Sequence, residues 1–384
     1  MNKANHQVNI VRLGEPRVHS NADSLELFDI GEYQVVTKKG NFKAGDCGVY
    51  VQPDSVVPQT EPFKFIWEAY VGLDGTVPEK RRRITVRKLR GEWSEGLLLP
   101  VSDFPELPIL QLSVGDDVSK LLSITHYDPD KGKEAAADNE TFRSNKKKRF
   151  PRTLKGWFFF LLHKLTGKSF AQGSYTDNET GIDMPVFDVD ALKNYNSAFE
   201  SGEEVEVTEK IHGCNARFVF RDEHMYAGSR TQWKAVTANC IWRKVLQAQP
   251  WIEEWCRANP GYGLYGEVVP QQGEKFLYGA TSEKPDLFVF DIRTPDGRWL
   301  SAEERRGPDI TITKIHTHWV PVLYVGPFDK KVIKQYIDGQ TTIPGAKGIR
   351  EGIVIRPMKE RHVRGLGRLI LKVVSNAYLE KDNK

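Results

Sequence analysis

Six short apolar stretches, separated by turn signals, run through the first 125 residues. They are QVNIVRL, SLELFDI, YQVVTKK, CGVYVQP, RRITVRK and EGLLLPV. Turn-forming residues lie between or beside them, including Gly40, Gly91 and Pro100. Short strands spaced by glycine- and proline-containing turns are typical of small barrels. The pattern therefore predicts a small β-barrel over residues 1–125.

The remaining apolar pattern mixes helix and strand periods. Asp188 is placed to cap a helix that runs to about Phe199. The stretches TQWKAVTANCIWRKVLQ and PWIEEWCRANPG are typical of helices that end at Pro250 and Pro260. Around them, EEVEVTEK, CNARFVF, LYGEVV, LFVFDIR, EGIVIRP and LILKVVS are typical of strands. This mixture predicts an α+β domain over residues 181–384.

Residues 126–180 interrupt both patterns with polar and basic sequence. Residues 131–168 carry 11 Lys or Arg against three acids, whereas residues 1–125 have a net charge of −2 and residues 169–384 are neutral. We interpret 126–180 as a basic linker or insertion. It either contacts a polyanion or is a solvated basic loop, and the charge alone favours the loop.

The composition excludes several classes of protein. Hydrophobic residues make up 39% and charged residues 28%, which is an ordinary soluble profile. The longest apolar run, Trp157–Leu162, is far shorter than the roughly 20 residues of a membrane-spanning helix. The start of the chain shows no signal peptide, and the four cysteines lack C-x-x-C spacing. We expect a cytoplasmic protein that binds no membrane.

Residues 80–90 contain seven basic residues and no acid, in the sequence KRRRITVRKLR. As a strand, they would place Arg83 and Arg87 on one face and Ile84 and Val86 on the other. A cationic strand face suits contact with phosphates, and a merely solvated face explains the same pattern equally well.

Polar residues beside apolar strands are the main chemical signal in the second half of the chain. Lys210 ends the stretch EEVEVTEK, on the same face as Glu206 and Thr208, and a glycine follows three residues later. The other polar residues of this kind are Arg230, Glu267, Asp291, Glu351 and Lys372. Buried polar groups need partners. These residues could form a structural ion-pair network, or they could line a pocket for a polyphosphate and its metal ions.

The order K-x-x-G, Y-G-E, F-D, E-G and L-K over residues 207–375 resembles the covalent nucleotidyltransferase superfamily of RNA ligases, DNA ligases and mRNA capping enzymes. The string EKIHGCN at 209–215 looks like the nick-sealing RNA ligases, in which a His follows the lysine by two. Further stretches, HSNADSLEL at 19–27 and LRGEWSEGLLLP at 89–100, are similar to the OB domain that precedes the transferase domain in one RNA ligase family.

This resemblance implies an α+β chain of three parts. Residues 1–125 would be an N-terminal OB-like β-barrel, and residues 126–180 the basic linker or insertion. Residues 181–384 would be a C-terminal nucleotidyltransferase (adenylation) domain, built on antiparallel sheets with flanking helices.

The resemblance also implies a three-step ATP-dependent reaction. A lysine attacks the α-phosphate of ATP, AMP passes from the lysine to a 5′-phosphate on RNA, and a 3′-hydroxyl then seals the strand. A free lysine, with a pKa of about 10.4, is mostly an ammonium at neutral pH. Nearby cations, such as Mg²⁺ (or Mn²⁺) or Lys372, would favour the neutral, nucleophilic amine.

Carried over motif by motif, the resemblance assigns Lys210 as the nucleophile. The expected nucleotide-binding residues are Glu209, Arg230, Glu267 (ribose hydroxyls), Phe290 (adenine stacking) and Lys372 (α-phosphate). The expected metal residues are Glu351 and Asp291, with Asp291 supporting the pocket or binding metal through water, and His212 and Asn215 are expected to serve later steps or metal hydration. Several relatives carry K-x-K in the last motif, whereas here Arg368, four residues before Lys372, is a loose match for the second cation.

We therefore expect an ATP-dependent RNA ligase that acts as a monomer on nicked duplex RNA or another RNA-containing duplex. The expected nucleic-acid contacts are Arg83, Arg87, Lys88, Lys146, Lys147, Lys148 and Arg149. DNA ligases and capping guanylyltransferases normally place an OB domain after the transferase domain, and here only ten residues follow Val374. These enzymes, and a catalytically inactive nucleic-acid-binding protein, are the alternatives.

Overall fold

A computed structural model describes residues 7–72, 74–108, 111–127, 174–195, 197–270, 278–307, 318–364 and 366–382. The chain divides into two compact units. The N-terminal unit comprises the described parts of Ala4–Asp128, Asp190–Asn196 and Val374–Lys384. The C-terminal unit comprises the described parts of Pro129–Val189 and Ser197–Val373.

The strands of the described residues alternate with turns along most of the chain. In chain order they are β1 Val8–Arg12, β2 Arg17–Val18, β3 Leu25–Ile30, β4 Tyr33–Lys38, β5 Cys47–Val51, β6 Ser55–Val56, β7 Arg87–Leu89, β8 Glu92–Ser94, β9 Leu97–Pro100, β10 Thr125–His126, β11 Ser174–Tyr175, β12 Asp190–Ala191, β13 Glu204–Lys210, β14 Cys214–Arg221, β15 His224–Gly228, β16 Trp233–Lys234, β17 Gly263–Val269, β18 Asp286–Arg293, β19 Val322–Pro327, β20 Gly352–Pro357, β21 His362–Val363, β22 Gly367–Arg368 and β23 Leu371–Val374.

The α-helices of the described residues are short. They are α1 Lys64–Trp67, α2 Glu79–Arg82, α3 Asp177–Thr180, α4 Ile241–Ala248, α5 Trp251–Ala258, α6 Ala302–Arg305, α7 Lys330–Ile337 and α8 Asn376–Asp382.

Two antiparallel sheets surround the core of the N-terminal unit. One has the strand order β1-β5-β9 and the other β2-β3-β4. Phe28 and Val35 of the second sheet pack against Tyr50 and Leu98 of the first in one hydrophobic cluster. Apolar side chains that alternate along the strands thus meet between the sheets.

Residues 80–90 do not form the single strand that their alternation predicts. Ile84 and Val86 are buried as expected. However, the preceding residues form helix α2, and Arg83 makes only an isolated bridge to Val56. The Arg83 side chain pairs with Asp54, with Nη2 2.6 Å from Oδ1. The basic run is therefore divided among helix α2, an isolated bridge and strand β7.

Glu95 connects the N-terminal unit to two segments that are distant from it in sequence. Its buried carboxylate accepts hydrogen bonds from Lys193 Nζ at 2.6 Å and from Asn376 Nδ2 at 2.5 Å. The backbone N–H of Gln34 also donates to it, at 3.1 Å. A buried carboxylate is stable only with such partners. These bonds explain why residues 190–196 and helix α8 belong to this unit.

The C-terminal unit contains two antiparallel sheets. The first has the strand order β11-β16-β15-β14-β17-β18, and the second carries β23, β20, β13 and β19 in that order. Helices α4 and α5 pack on the first sheet, where Val245 and Ile252 join Phe218 and Leu264 in one cluster. Strand β13 lies in the second sheet and β14 in the first, so the chain crosses between the sheets directly after Lys210.

One predicted helix in this region is wrong, and a second is confirmed only in its C-terminal part. Residues 188–199 contain the short strand β12 and a 3₁₀ turn at Leu192–Asn194, and the Asp188 carboxylate only accepts from the next N–H, that of Val189. Within TQWKAVTANCIWRKVLQ, only Ile241 onward is helical. Trp233 and Lys234 instead pair with β11, a strand partner that local periodicity cannot reveal.

Candidate active site

Lys210 is the last residue of β13 and lies opposite Gly352 of β20. Val205 and Val207 of β13 are fully buried in the core. Strand alternation therefore places Lys210 on the opposite face, with Glu206 and Thr208. The lysine side chain is 25% exposed, which leaves its amine within reach of a ligand.

The turn after Lys210 brings the two sheets together. Gly213 is needed there, because a Cβ at this position would clash with the Val268 carbonyl oxygen and lie 2.9 Å from Cγ of Glu267. The Gly213 N–H donates to Glu267 Oε1 at 3.1 Å. The K-x-x-G spacing thus has a steric cause in this fold.

Glu351 is a carboxylate in direct contact with the candidate nucleophile. Its Oε1 lies 2.7 Å from Nζ of Lys210, and its Oε2 lies 3.9 Å from Nδ1 of His212. Glu351 immediately precedes β20, the strand that pairs with β13. The sheet therefore sets the Lys210–Glu351 contact directly.

Tyr278 is a residue of this site that the sequence motifs do not include. The backbone N–H of His212 donates to its hydroxyl oxygen at 3.1 Å. Burial, together with the charges of Glu351, Glu209 and Glu267, raises the pKa of this hydroxyl well above its usual range. The Tyr278 hydroxyl therefore stays protonated at neutral pH.

Only one of the two carboxylate oxygens of Glu209 has hydrogen-bond partners among the described residues. Its Oε2 accepts from the N–H and the hydroxyl of Thr342, both at 2.8 Å. Its buried Oε1 has no hydrogen-bond partner among the residues that the structure describes. A buried acceptor in this condition is suited to a donor on a ligand. The predicted role of Glu209 in nucleotide binding fits this geometry.

Phe290, the residue predicted to stack on adenine, lies on β18. Leu287 and Val289 point into the core beneath the sheet, so alternation puts Phe288 on the other face. The β17–β18 pairing shifts register at Phe290, whose ring packs on the cluster that contains Tyr265. Phe288 pairs across the strands with Glu267. The Phe290 ring is partly exposed and packs 4.6 Å, between centroids, from the ring of Phe187. Both rings are available for stacking, and Phe288 is one that the motif did not indicate.

Asp291 does not occupy the metal-facing position that was predicted for it. It is fully buried, and its Oδ2 lies 2.6 Å from Arg368 Nη1 and 3.1 Å from Arg356 Nη1. Its Oδ1 accepts from the Ile292 N–H at 2.9 Å. Both carboxylate oxygens of Asp291 therefore bond to protein donors, and the prediction that Asp291 binds a metal ion is not supported. These contacts are compatible with the other predicted role of Asp291, which is to support the pocket.

Burial alone would raise the pKa of Asp291. The guanidinium groups of Arg368, Arg356 and Arg305 outweigh that effect and hold the pKa below its ordinary value. Arg305 in turn contacts the buried Glu206 of β13 at 2.5 Å. This buried charge network joins the two sheets under the site.

Arg368 belongs to the same network and is not a second phosphate-binding cation. It contacts Glu360 through two nitrogens, both at 2.6 Å, and its guanidinium lies 4.6 Å from the ring centroid of Trp299. Lys372 lies on β23 next to the fully buried Leu371, and so on the opposite face of that strand. Lys372 remains the better candidate for the α-phosphate.

The other predicted residues occupy nearby elements. Asn215 pairs across the strands with Glu267, and its Oδ1 has no hydrogen-bond partner among the described residues. Arg230 is partly buried in the connection between β15 and β16. The structure thus brings Lys210, His212 and Glu351 into contact, and it places Asn215 beside Glu267.

The predicted nucleic-acid contacts fall into three groups. Arg83 forms an ion pair with Asp54, and its guanidinium lies 4.6 Å from the ring centroid of Tyr127. Its predicted contact with phosphate is therefore not supported. Arg87 and Lys88 are exposed on the β7–β8 hairpin. The remaining group, Lys146, Lys147, Lys148 and Arg149, lies outside the described residues.

The side chains around Lys210 suit a metal ion that is bound jointly by the protein and by the phosphates of a nucleotide. Within the described part of the chain, no group of three or more His, Cys, Asp or Glu side chains could hold a metal alone. Mg²⁺ commonly binds one or two carboxylates together with substrate phosphates and water. Glu351 is the carboxylate of this kind next to Lys210.

Comparison with known proteins decides the nature of the C-terminal unit. Residues 203–374 match the family model described as RNA ligase. This stretch is therefore similar to RNA ligase domains. Residues 8–101 match a model described as an OB-fold domain. An OB-fold domain followed by an RNA ligase domain is the predicted order, and the predicted α+β fold class is confirmed.

Solved structures of Naegleria gruberi RNA ligase share this fold over nearly the whole chain. A variant with ATP and Mn has 24% identity, a TM-score of 0.69, and coverage of 99% of this chain and 100% of that one. A variant with AMP and Mn has 24% identity, a TM-score of 0.71 and the same coverage. A complex with PPi has 24% identity, a TM-score of 0.70 and coverage of 98% and 99%. The chain therefore has the same fold as that protein over nearly its whole length.

A search of curated protein sequences returned no match. In the part of the chain that the structure describes, no helix combines the length and the apolar character needed to span a bilayer.

Proposed function

We propose that this protein is an ATP-dependent RNA ligase that seals 3′-hydroxyl/5′-phosphate nicks through lysyl-AMP and RNA-adenylate. The contact between Lys210 Nζ and Glu351, 2.7 Å long, carries the proposal. The lysine side chain is partly exposed and precedes a turn whose N–H groups bond to Glu267 and Tyr278.

In the first step, the Lys210 amine attacks the α-phosphorus of ATP. The N–P bond forms, the bond from the α-phosphorus to the bridging oxygen breaks, and pyrophosphate leaves. The amine must lose a proton, and Glu351 is the acceptor in contact with it. AMP then passes to the 5′-phosphate of RNA, and attack by the 3′-hydroxyl releases AMP.

The charges around Lys210 have distinct roles in this step. Glu351 holds the amine in place and, as long as the two are paired, stabilises its ammonium form. A divalent cation held by Glu351 and the phosphates would supply charge to the anionic transition state and compete with the ammonium for Glu351. Lys372, on β23, is the proposed contact for the α-phosphate.

ATP is the proposed nucleotide for two reasons. The open Oε1 of Glu209 accepts a hydrogen bond, which suits the exocyclic amine of adenine and not the carbonyl oxygen that guanine presents there. The Naegleria protein of the same fold was solved with ATP and with AMP. Phe290 and Phe288 offer the stacking surface for the base.

The proposed partner is a nicked duplex that contains RNA. All three residues of β7 are exposed, and Arg87, Lys88 and Arg90 point cations away from the core. The Lys88 amine lies 5.1 Å from the ring centroid of Trp93. The His19 ring and the Leu89 carbonyl are hydrogen-bonded at 3.0 Å, which fixes the hairpin. A fixed cationic hairpin suits the phosphates of a duplex.

The basic segment 131–168 is proposed as a second contact on the basis of its charge. Deleting it should weaken nick binding and flatten the salt dependence, while self-adenylylation persists. Unchanged nick sealing at physiological salt would contradict this role.

The four cysteines are free thiols, as suits the reducing cytoplasm that we propose for the enzyme.

A labelling experiment tests the activity. The protein is mixed with α-labelled ATP or GTP and Mg²⁺ and then run on a denaturing gel. Label retained from ATP supports the proposal, retention from GTP alone would indicate a capping enzyme, and no label would indicate an inactive binding protein. Sealing of nicks with ribo- or deoxyribonucleotides on each side then identifies the strand preference.

A further inference from the structure

Tyr278 fixes the backbone of the turn that follows the nucleophile. The N–H groups of His212 and Gly213 are consecutive, and each donates to a side chain at 3.1 Å: His212 to the Tyr278 hydroxyl and Gly213 to Glu267. Glu267 belongs to a motif of the superfamily, whereas Tyr278 belongs to none of the motifs in this chain. The turn is nevertheless held equally by both.

The backbone of Tyr278 is in an unusual conformation. Its φ angle is +45°, in the left-handed region that a bulky residue rarely adopts. Its side chain is only 7% exposed, and its ring lies 6.5 Å, between centroids, from that of Phe288. A strained backbone next to a candidate active site persists only when surrounding contacts hold it. Here the strain directs a buried hydroxyl to one backbone N–H.

The position of the His212 N–H affects the two side chains that approach Glu351, those of Lys210 and His212. His212 approaches Glu351 through Nδ1 at 3.9 Å, and Lys210, two residues earlier, contacts it through Nζ at 2.7 Å. A shift of the backbone at 212 would therefore move both side chains relative to the same carboxylate. Small displacements of reacting groups have large effects on rate.

We propose that Tyr278 is a positioning residue for lysyl-AMP formation, whose hydroxyl holds the His212 N–H so that Lys210 and His212 both reach Glu351. This inference rests on the proposed ligase function. It predicts a loss of rate and not of nucleotide affinity, because the hydroxyl acts on the nucleophile's turn.

The hydroxyl is not expected to transfer protons. Burial and the surrounding carboxylates keep Tyr278 protonated at any pH at which ligation is measured. Its removal should therefore slow lysyl-AMP formation by the same factor from pH 6 to pH 9. A factor that changes across this range would show an acid–base role and would overturn the positioning role.

The test is Tyr278→Phe, which removes one oxygen and keeps the ring. We expect lysyl-AMP formation at saturating ATP to fall about tenfold, the typical effect of leaving a buried N–H without its acceptor. The KM for ATP should stay within about twofold. Tyr50→Phe is the matched control, since it removes a buried hydroxyl that donates to the Glu95 carbonyl in the N-terminal unit.

The outcomes separate this inference from the proposed function. If the wild-type protein takes up label and Tyr278→Phe matches it, the inference fails and the ligase function stands. A second outcome is that Tyr278→Phe and Tyr50→Phe slow lysyl-AMP formation by the same factor and lower the unfolding temperature by the same amount. That result would show general destabilisation, and the inference would again fail. If the wild-type protein takes up no label, the proposed function itself fails.

Discussion

Nζ of Lys210 and Oε1 of Glu351 lie 2.7 Å apart at the paired ends of β13 and β20. Both side chains are largely buried, so the pair is little screened by solvent. The sheet register fixes the contact, because Lys210 is directly opposite Gly352 and Glu351 precedes that glycine. One carboxylate thus contacts the proposed nucleophile at a point that the sheet register sets.

Glu351→Gln should slow lysyl-AMP formation by about 10- to 100-fold, the usual cost of losing a charged hydrogen bond. The measurement is the initial rate of label uptake from α-labelled ATP. Glu283→Gln is the matched control, because Glu283 forms an exposed ion pair with Lys244 at 3.7 Å and such pairs contribute little. Equal rates in the two variants would contradict the role of Glu351.

Glu209→Gln should weaken ATP use and leave GTP use unchanged or improved. The substitution replaces an acceptor with an amide that can donate, so a hydrogen bond from the adenine amine is weakened. We expect the KM for ATP in label uptake to rise about tenfold, on the scale of one buried hydrogen bond. An unchanged KM would show that Oε1 of Glu209 does not contact the base.

Asp291→Asn should destabilise the C-terminal unit by about 3–5 kcal/mol, because Arg356 and Arg368 keep their buried charges without the carboxylate. The measurement is the urea midpoint at pH 7, followed by tryptophan fluorescence. A midpoint within error of the wild type would mean that the network does not stabilise the fold.

The same variant should change the response to acid. The pKa of Asp291 is lowered in the folded protein, so its contribution is fully present above the ordinary Asp pKa and is lost as pH falls through the folded value. The wild-type urea midpoint should therefore fall more steeply than that of Asp291→Asn below about pH 5. Parallel curves would contradict the lowered pKa.

Arg87→Ala combined with Lys88→Ala should weaken duplex binding and reduce the slope of log K against log salt by about 2, as for two lost phosphate contacts. Lys43→Ala with Lys120→Ala is the control, since both lysines are exposed in the same unit. The same slope change in both double variants would indicate a diffuse charge effect and not a hairpin contact.

The strands near the site could be predicted because their pattern is local. Alternation in EEVEVTEK correctly separates Val205 and Val207 from Lys210, and the apolar run around Asp291 correctly predicts β18. Helix α5 is also found where its pattern predicts it. Each of these elements buries one face, and the sequence period reports that face directly.

The errors concern residues whose environment is set by distant parts of the chain. The motif predicts that Asp291 binds a metal ion. Its actual partners, Arg356 and Arg368, are 65 and 77 residues away in the sequence, so the motif does not reveal them. Trp233 was placed in a helix because its strand partner lies in a segment without periodicity. Tyr278 carries no local signal, since its importance comes from a backbone angle and one tertiary hydrogen bond.

The most direct test of the account is to find the residue that carries AMP. The protein is incubated with ATP and Mg²⁺, digested, and its peptides are mapped by mass spectrometry, with Lys210→Ala in parallel. The account predicts one adenylylated peptide, modified on Lys210, and neither AMP uptake nor nick sealing from ATP in the variant. AMP on another side chain, or sealing that survives Lys210→Ala, would contradict it.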